Sequence, residues 1–245
     1  MLATQLKYDL LMFFREIFFV IFIVILPPAS YVFMGQLYGE WSYNGGLSYA
    51  ETYTPSFILL IAFGIIFFAF GFDQVENRTT GIEKRITITP VPKSILLLSA
   101  IVKSVILTSL GFFLICLIGA AVYKLNFHLV NFIAAYTFFI FMNAVLLVIA
   151  SAIYSFFKTQ NSALIFSIVI FQVVMITGGF AIPIELMPKF VHTIANFNMM
   201  SHMNQLFVSI WNGQLAWTSE TMISSGFIAL IFLISLVVLR LRQEK

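Results

Sequence analysis

Long apolar segments constrain this chain more than any other feature. Six of them, at 17–34, 57–72, 95–122, 132–155, 162–177 and 222–239, have no acidic or basic residue in their middle parts. A helix needs about 20 apolar residues to cross the hydrocarbon core of a bilayer. Hydrophobic residues make up 61% of the chain and charged residues 9%, whereas globular domains average about 45–50% and about 25%. We therefore predict an all-α membrane protein with six transmembrane helices in a single transmembrane domain, 1–245.

The N-terminal segment 1–16 is amphipathic. Lys7, Asp9, Arg15 and Glu16 alternate with leucine and phenylalanine, and no signal-peptide cleavage site follows. We predict an interfacial helix on the inner membrane surface, and packing against a neighbouring domain is the alternative. The pair Pro27-Pro28 then predicts a kink inside the first span, which is tolerated in lipid where other helices satisfy the freed carbonyl groups.

A polar loop at 73–93 separates the second and third spans. It contains Asp73, Glu76, Arg78, Glu83, Lys84, Arg85 and Lys93, in a chain that otherwise has few charges. Such a concentration predicts a cytosolic loop that binds a soluble partner. A merely solvated loop is the alternative.

The segment 178–213 has a different pattern. Gly178-Gly179 ends the fifth span, Pro183 and Pro188 follow, and two amphipathic pieces occur at 189–197 and 200–211. Each piece is too short to cross a bilayer, yet each has an apolar period typical of a helix. We predict a re-entrant external helical hairpin, with a plain external loop as the alternative.

The distribution of basic residues predicts the orientation. If both termini are cytosolic, all of the 13 Lys and Arg residues except Lys124 and Lys189 lie on the inner side. This asymmetry agrees with the positive-inside rule. The basic pI therefore reflects topology, and we expect no nucleic-acid partner.

Several kinds of active site have no signature in the sequence. The one cysteine, Cys116, lies in an apolar span, and no Cys/His spacing predicts a metal site. We find no catalytic residues, no phosphate-binding glycine loop and no mid-membrane charges of the kind that ion-coupled transporters use. His128, alone in an outer turn, is more typical of a tolerated polar residue than of a functional one. Energy for any uphill transport must therefore come from another chain.

Two motifs in this order resemble the type 2 ATP-binding-cassette (ABC) exporter permeases. The first is Glu76-Asn-Arg-Thr-Thr-Gly81-Ile-Glu83-Lys-Arg85 after the second span, continued by Thr89-Pro90-Val91-Pro92. The second is Gly178-Gly179-Phe180-Ala-Ile-Pro183-Ile-Glu-Leu-Met-Pro188 before the last span. The resemblance covers essentially the whole chain. That family usually has Asn-Pro where this chain has Asn198-Met199.

The resemblance implies a coupling helix within 73–93 that seats in a groove of a separate ABC ATPase subunit, which binds the ATP and Mg²⁺. This chain itself would bind no cofactor. The implied ATPase-coupling residues are Glu76, Arg78, Thr80, Gly81, Glu83, Lys84 and Arg85. The implied external gate consists of Gly178, Gly179, Pro183, Pro188, Phe197, Met199, Met200 and Phe207.

The resemblance also implies a second permease subunit, identical or closely related, with a path between the first, second and fifth spans. We expect membrane lipids as further partners and a bacterial plasma membrane as the location. The apolar spans favour hydrophobic or amphiphilic substrates such as drugs, membrane-active peptides or lipid-like antibiotics, although the family also includes sodium exporters. A membrane sensor or immunity protein that transports nothing is the alternative, and an intramembrane enzyme is a third possibility.

Overall fold

The computed structural model describes residues 2–15, 17, 20–40, 46–82, 93–180 and 187–243, and these are helical apart from short turns. Helix α1 is Leu2–Arg15, and a π-helical stretch, Val20–Ile25, leads into α2, Leu26–Tyr38. Helix α3 is Tyr49–Thr79, α4 is Lys93–Tyr123, α5 is Leu129–Tyr154 and α6 is Gln160–Thr177. Two short helices, α7 (Lys189–Phe197) and α8 (Met199–Trp211), precede α9, Ser219–Gln243.

Among the described residues, five helices are long and apolar enough to cross a membrane: α3, most of α4, α5, α6 and α9. They correspond to the second to sixth predicted spans. The first predicted span, 17–34, falls on Val20–Ile25 and α2. Residues 18 and 19 of this span lie outside the described ranges. Pro27 and Pro28 occupy the first turn of α2 and are buried.

Helix α3 lies at the centre of the molecule. It contacts α2, α4, α5, α6 and α8, and 89% of its most apolar section is buried within the chain. A helix that is apolar on all sides is stable only when its whole circumference is covered. Its middle section, Ile65–Gly71, is π-helical.

The start of α3 differs from the prediction. The second span was predicted from residue 57, but the helix begins at Tyr49, where Ser48 and Glu51 form a capping box. Pro55 therefore lies inside the helix, and it cannot donate a hydrogen bond to the carbonyl group of Glu51. The side chain of Asn212, at the end of α8, donates to that carbonyl oxygen at 3.1 Å. The freed acceptor is thus satisfied by another helix, as a membrane interior requires.

An aromatic cluster joins α2, α3 and α4 at this end of the bundle. The Tyr31 hydroxyl hydrogen bonds with Thr54 at 2.7 Å, and the Tyr49 hydroxyl donates to the Tyr31 carbonyl at 2.8 Å. Tyr123 donates to the Val32 carbonyl at 3.0 Å. We call this the outer end, following the predicted orientation, and the end near Thr79 the inner end.

Helices α6 and α9 are the least covered spans, with 22% and 17% of their most apolar sections buried. Their exposed side chains are mostly apolar, for example Ile165 and Val169 on α6 and Leu233 on α9, although Gln172 on α6 is also exposed. Such surfaces are stable only against lipid or another membrane chain.

Gly71, at the end of the π-helical section, generates a stability prediction. A Cβ atom at Gly71 would overlap the ring of Tyr154, which is fully buried and bonded to Ser167. We expect Gly71→Ala to destabilise the protein by about 1–3 kcal/mol through overpacking.

Gly226→Ala is the matched control, because a Cβ at Gly226 on α9 meets no atom within 4 Å. Heating the detergent-solubilised protein with a thiol-reactive fluorogenic dye measures both variants, since the single, buried Cys116 reacts only on unfolding. Equal melting temperatures for the two variants would contradict the packing described here.

Candidate functional site: the inner polar cluster and the outer hairpin

The polar residues after the second span begin inside a helix. The loop was predicted from Asp73, but α3 continues without a break to Thr79. Thr80 ends the helix, and its hydroxyl donates to the Glu76 carbonyl at 2.7 Å. Gly81 follows with φ of +72°, a left-handed conformation that glycine adopts at little cost. The rigid part of the second span thus extends about two turns beyond the predicted membrane boundary.

Asp73 forms an ion pair with Lys103 of α4. Lys103 is 7% exposed, so its ammonium group lies against Asp73 and does not reach lipid phosphates. A buried ammonium group without a counter-charge is costly in an apolar setting. The carboxylate of Asp73 supplies that charge and ties the end of α3 to α4.

Two further side chains of α3 bind the end of α5. Gln74 donates to the Ser151 hydroxyl at 2.9 Å. Arg78 donates to the carbonyl oxygens of Tyr154 at 2.5 Å and Ser155 at 3.3 Å. The last carbonyl groups of a helix have no intrahelical partner and carry partial negative charge, so a guanidinium group satisfies both needs. We call Asp73, Gln74, Arg78 and their partners the inner polar cluster.

Helix α1 joins the same cluster from the inner surface. Asp9 accepts a hydrogen bond from Ser99 of α4 at 2.7 Å and another from Gln5 at 2.9 Å. Phe13 is buried, whereas Tyr8 and Met12 on the same helix are more than half exposed. One face of α1 is therefore docked on the bundle, and the apolar exposed side chains suit the membrane interface.

The segment before the last span contains two helices that meet at Asn198. The backbone there is extended, and the Asn198 side chain accepts from the Met200 amide at 2.9 Å as the N-cap of α8. Its Nδ2 also donates to the Thr177 hydroxyl at 2.8 Å. Asn198 alone thus makes the bend that the resemblance assigns to Asn-Pro, because its carboxamide replaces the missing helical partner.

Helix α8 packs inside the bundle and has polar anchors. Asn204 donates to the Gly178 carbonyl at 3.2 Å, which fixes α8 against the end of α6. His202 hydrogen bonds with Ser224 of α9 at 3.0 Å and with the Asn196 carbonyl at 2.9 Å. These contacts leave α8 little freedom to move without α6 and α9.

A family model described as ABC-2 family transporter protein matches residues 27–241, which is most of the chain. The chain belongs to this family. It is therefore a multi-pass membrane permease component of an ABC transporter, a class of subunit that generally has no ATPase site of its own. No curated protein matches the chain.

The predicted coupling residues of this ABC-2 permease fall into three groups by their place in the structure. Glu76 and Arg78 lie on the last turns of α3, and the guanidinium of Arg78 binds α5 instead of projecting toward a partner. Thr80 is exposed and Gly81 half-buried at the turn that follows. Glu83, Lys84 and Arg85 lie outside the described residues.

The predicted gate residues do not form one group. Met200 and Phe207 are buried, and Phe207 stacks on Phe139 of α5 with ring centroids 6.1 Å apart. Met199 is half-buried, whereas Phe197 is 76% exposed. Gly178 ends α6, Gly179 follows with φ of +72°, and Pro188 precedes α7. Pro183 lies outside the described residues.

The resemblance implies that the second span lines the path, but its burial in this structure does not favour that role. Because α3 is enclosed by its own chain, it presents little surface to a path between two subunits. Helices α2 and α6 retain exposed apolar residues such as Phe33 and Ile168.

Sequence reasoning missed the inner polar cluster. The available signal was Lys103, which follows about three helical turns of apolar sequence and needs a carboxylate nearby. Asp73 is the carboxylate at the matching depth of the neighbouring span. Within the described ranges, no group of three or more His, Cys, Asp or Glu residues could hold a metal ion.

The ion pair generates a prediction with a built-in asymmetry. Asp73→Asn leaves the ammonium of Lys103, whose side chain is 8% exposed, whereas Lys103→Met leaves a carboxylate that is 34% exposed. We expect each single change to destabilise the protein by about 2–4 kcal/mol, with Asp73→Asn the more severe.

The double variant Asp73→Asn/Lys103→Met should be more stable than the sum of the single effects, because neither charge is left without a partner. The dye assay at Cys116 measures all three variants. If the destabilisation of the double variant equals the sum of the two single effects, the interaction between Asp73 and Lys103 contributes nothing to stability.

Proposed function

We propose that this ABC-2 permease is the membrane half of an exporter driven by a separate ABC ATPase, with two permease subunits around one path. The observation that carries the proposal is the unbroken helix α3, which ends at Thr79, four residues before the segment 83–92 in the sequence. A force applied at that segment acts directly on the most deeply buried helix of the molecule.

The inner polar cluster supports the same mechanism. Asp73, Gln74 and Arg78 attach the end of α3 to α4 and α5, so a push on α3 also acts on both neighbours. Arg242 of α9 donates to the Ser155 carbonyl at 3.1 Å and lies over the Phe156 ring at 4.2 Å. The inner ends of four spans are therefore connected by polar contacts.

The outer hairpin is the complementary element of the proposal. Helix α8 contacts α3, α5 and α9, so a shift of α3 would also displace α8. Asn198 and Asn204 would transmit that displacement to the end of α6. Phe197, exposed where α7 meets α8, is the proposed contact of the gate. The proposal includes that the hairpin formed by α7 and α8 enters the outer leaflet and returns to the outer surface.

Both termini face the cytosol in this scheme, and the cell is bacterial. ATP and Mg²⁺ are bound by the ATPase, and this chain supplies the coupling surface from Thr80 to Arg85. The outward-facing apolar side chains of α2 and α6 favour hydrophobic or amphiphilic substrates, because apolar surfaces make weakly directional contacts.

Co-purification tests the ATPase coupling. A tagged chain expressed in its native host, and captured with Mg·ATP present, should retain an ABC ATPase detected by mass spectrometry. We expect the charge reversal Glu83→Lys/Arg85→Glu to lower the ATPase recovered by about tenfold or more, equivalent to about 1.4 kcal/mol.

Arg240→Glu is the control, because Arg240 is also a charged residue on the inner side but belongs to the last turn of α9 and not to the coupling segment. It should recover as much ATPase as the unmodified chain. Recovery of no ATPase by the unmodified chain would favour the sensor or immunity alternative and refute the proposal.

ATP hydrolysis by the captured complex tests the substrate class. In proteoliposomes we expect an amphiphilic cationic dye and an amphipathic peptide to raise the ATPase rate, and a neutral polysaccharide to leave it unchanged. The charge-reversal complex should show no stimulation by any compound. Stimulation by Na⁺ alone would refute the amphiphile proposal and leave the ATPase coupling intact.

A further inference from the structure

A polar cavity of about 380 Å³ opens at the outer end of the bundle. It lies between the start of α3, the turn 124–128 and the end of α8, away from the inner polar cluster. Its polar lining residues include Ser48, Glu51, Lys124, His128, Asn131 and Asn212. We call it the outer cavity.

Glu51 is a carboxylate held in a fixed position. Its Oε2 atom accepts hydrogen bonds from the amide and the hydroxyl of Ser48, both at 2.7 Å. No described residue donates to Oε1, so the second oxygen retains its capacity to bind a donor. A carboxylate oriented by its neighbours loses little freedom when a cation binds.

Lys124 brings the opposite charge to the same cavity. It has φ of 54° and is the one non-glycine residue with positive φ in the described part of the chain. Glycine is the residue favoured in this conformation at a helix end, so a lysine here retains its side chain at some conformational cost. Among described residues, Lys103 and Asp73 form the one ion pair, so Lys124 and Glu51 do not neutralise each other.

The surroundings of the outer cavity are apolar and aromatic. Phe132 and Trp211 form part of its wall. Immediately beyond His128, Leu129 is 72% exposed and Val130 79% exposed. Aromatic side chains of this kind lie at the headgroup level of a membrane, and exposed leucine and valine beside them suit acyl chains.

We propose that the outer cavity binds a zwitterionic phospholipid headgroup that combines a primary ammonium with a phosphate, as in phosphoethanolamine. The ammonium donates to Glu51, and the phosphate binds Lys124 and His128. A primary ammonium has N–H donors for Oε1 of Glu51, whereas a quaternary ammonium has none. The lipid source is favoured over a soluble one because Leu129 and Val130 continue the cavity into an apolar surface.

This inference goes beyond the proposed function and needs no ATPase, so the two can fail separately. The test uses the purified full chain in phosphatidylcholine nanodiscs. Dioleoyl phosphatidylethanolamine replaces an increasing fraction of the lipid, and native mass spectrometry measures the lipid that stays bound. Dioleoyl phosphatidylglycerol and free phosphoethanolamine are titrated in parallel.

Two variants remove the charges without disturbing the fold. Glu51→Gln keeps an oxygen for the capping box, and Lys124→Gly places the favoured residue in the left-handed conformation. We expect each to weaken phosphatidylethanolamine binding by about tenfold, the value of one charge-assisted hydrogen bond. Glu220→Gln, in the first turn of α9 and away from the cavity, should bind as the unmodified chain does.

Preferential binding of phosphatidylethanolamine that both variants abolish would support the proposal. Equal binding of phosphatidylethanolamine and phosphatidylcholine, or a preference that survives in Glu51→Gln, would overturn it. Free phosphoethanolamine that competes with the affinity of the lipid would overturn the lipid source. The dye assay at Cys116 confirms that each variant is folded, so loss of binding reports on the cavity itself.

Discussion

The absence of water from the membrane interior governs the position of helix α3. A polar group enclosed there needs a partner from the protein, since lipid offers none. Two groups near the ends of helix α3 need such partners, the carbonyl freed by Pro55 near its start and the carboxylate of Asp73 near its end. Asn212 satisfies the first and Lys103 the second. The helix is therefore held at both ends by specific polar contacts, while its apolar middle is held by packing.

This arrangement makes α3 suitable as a mechanical element. A buried helix held only by apolar contacts can rotate or slide at modest cost, because such contacts are weakly directional. Hydrogen bonds at both ends and the ion pair at the inner end fix its register against α4, α5 and α8. The π-helical section Ile65–Gly71 lies between the two attachments, and π-helical turns frequently occur at functional positions in helices. This π-helical section is the part of α3 with the least regular hydrogen bonding.

The apolar segments predicted the helical class and five of the long helices because hydrophobic length is a local property of the sequence. The boundaries were less predictable where tertiary contacts decide them. Pro55 marks a helix start in most sequences, but here Asn212, 157 positions later, compensates for it. Asp73 and Arg78 indicate a solvent-exposed loop when read alone, yet Lys103 and the carbonyl groups of α5 allow the helix to continue. In each case the deciding partner is distant in sequence, so no local pattern contains it.

The enclosure of α3 has a consequence for the proposed path. A surface can line a path between two subunits only if its own chain leaves it uncovered, and α3 is covered by α2, α4, α5, α6 and α8. The exposed apolar faces of α2 and α6 have no such cover. Within the proposed dimer, α3 then acts by displacing the helices packed around it instead of contacting the substrate. In this proposal the helix that receives the force and the helices that meet the substrate are different elements. Helix α3 reaches α6 directly, where Phe63 lies against Phe171, and through α8 by the polar contacts of Asn198 with Thr177 and of Asn204 with Gly178.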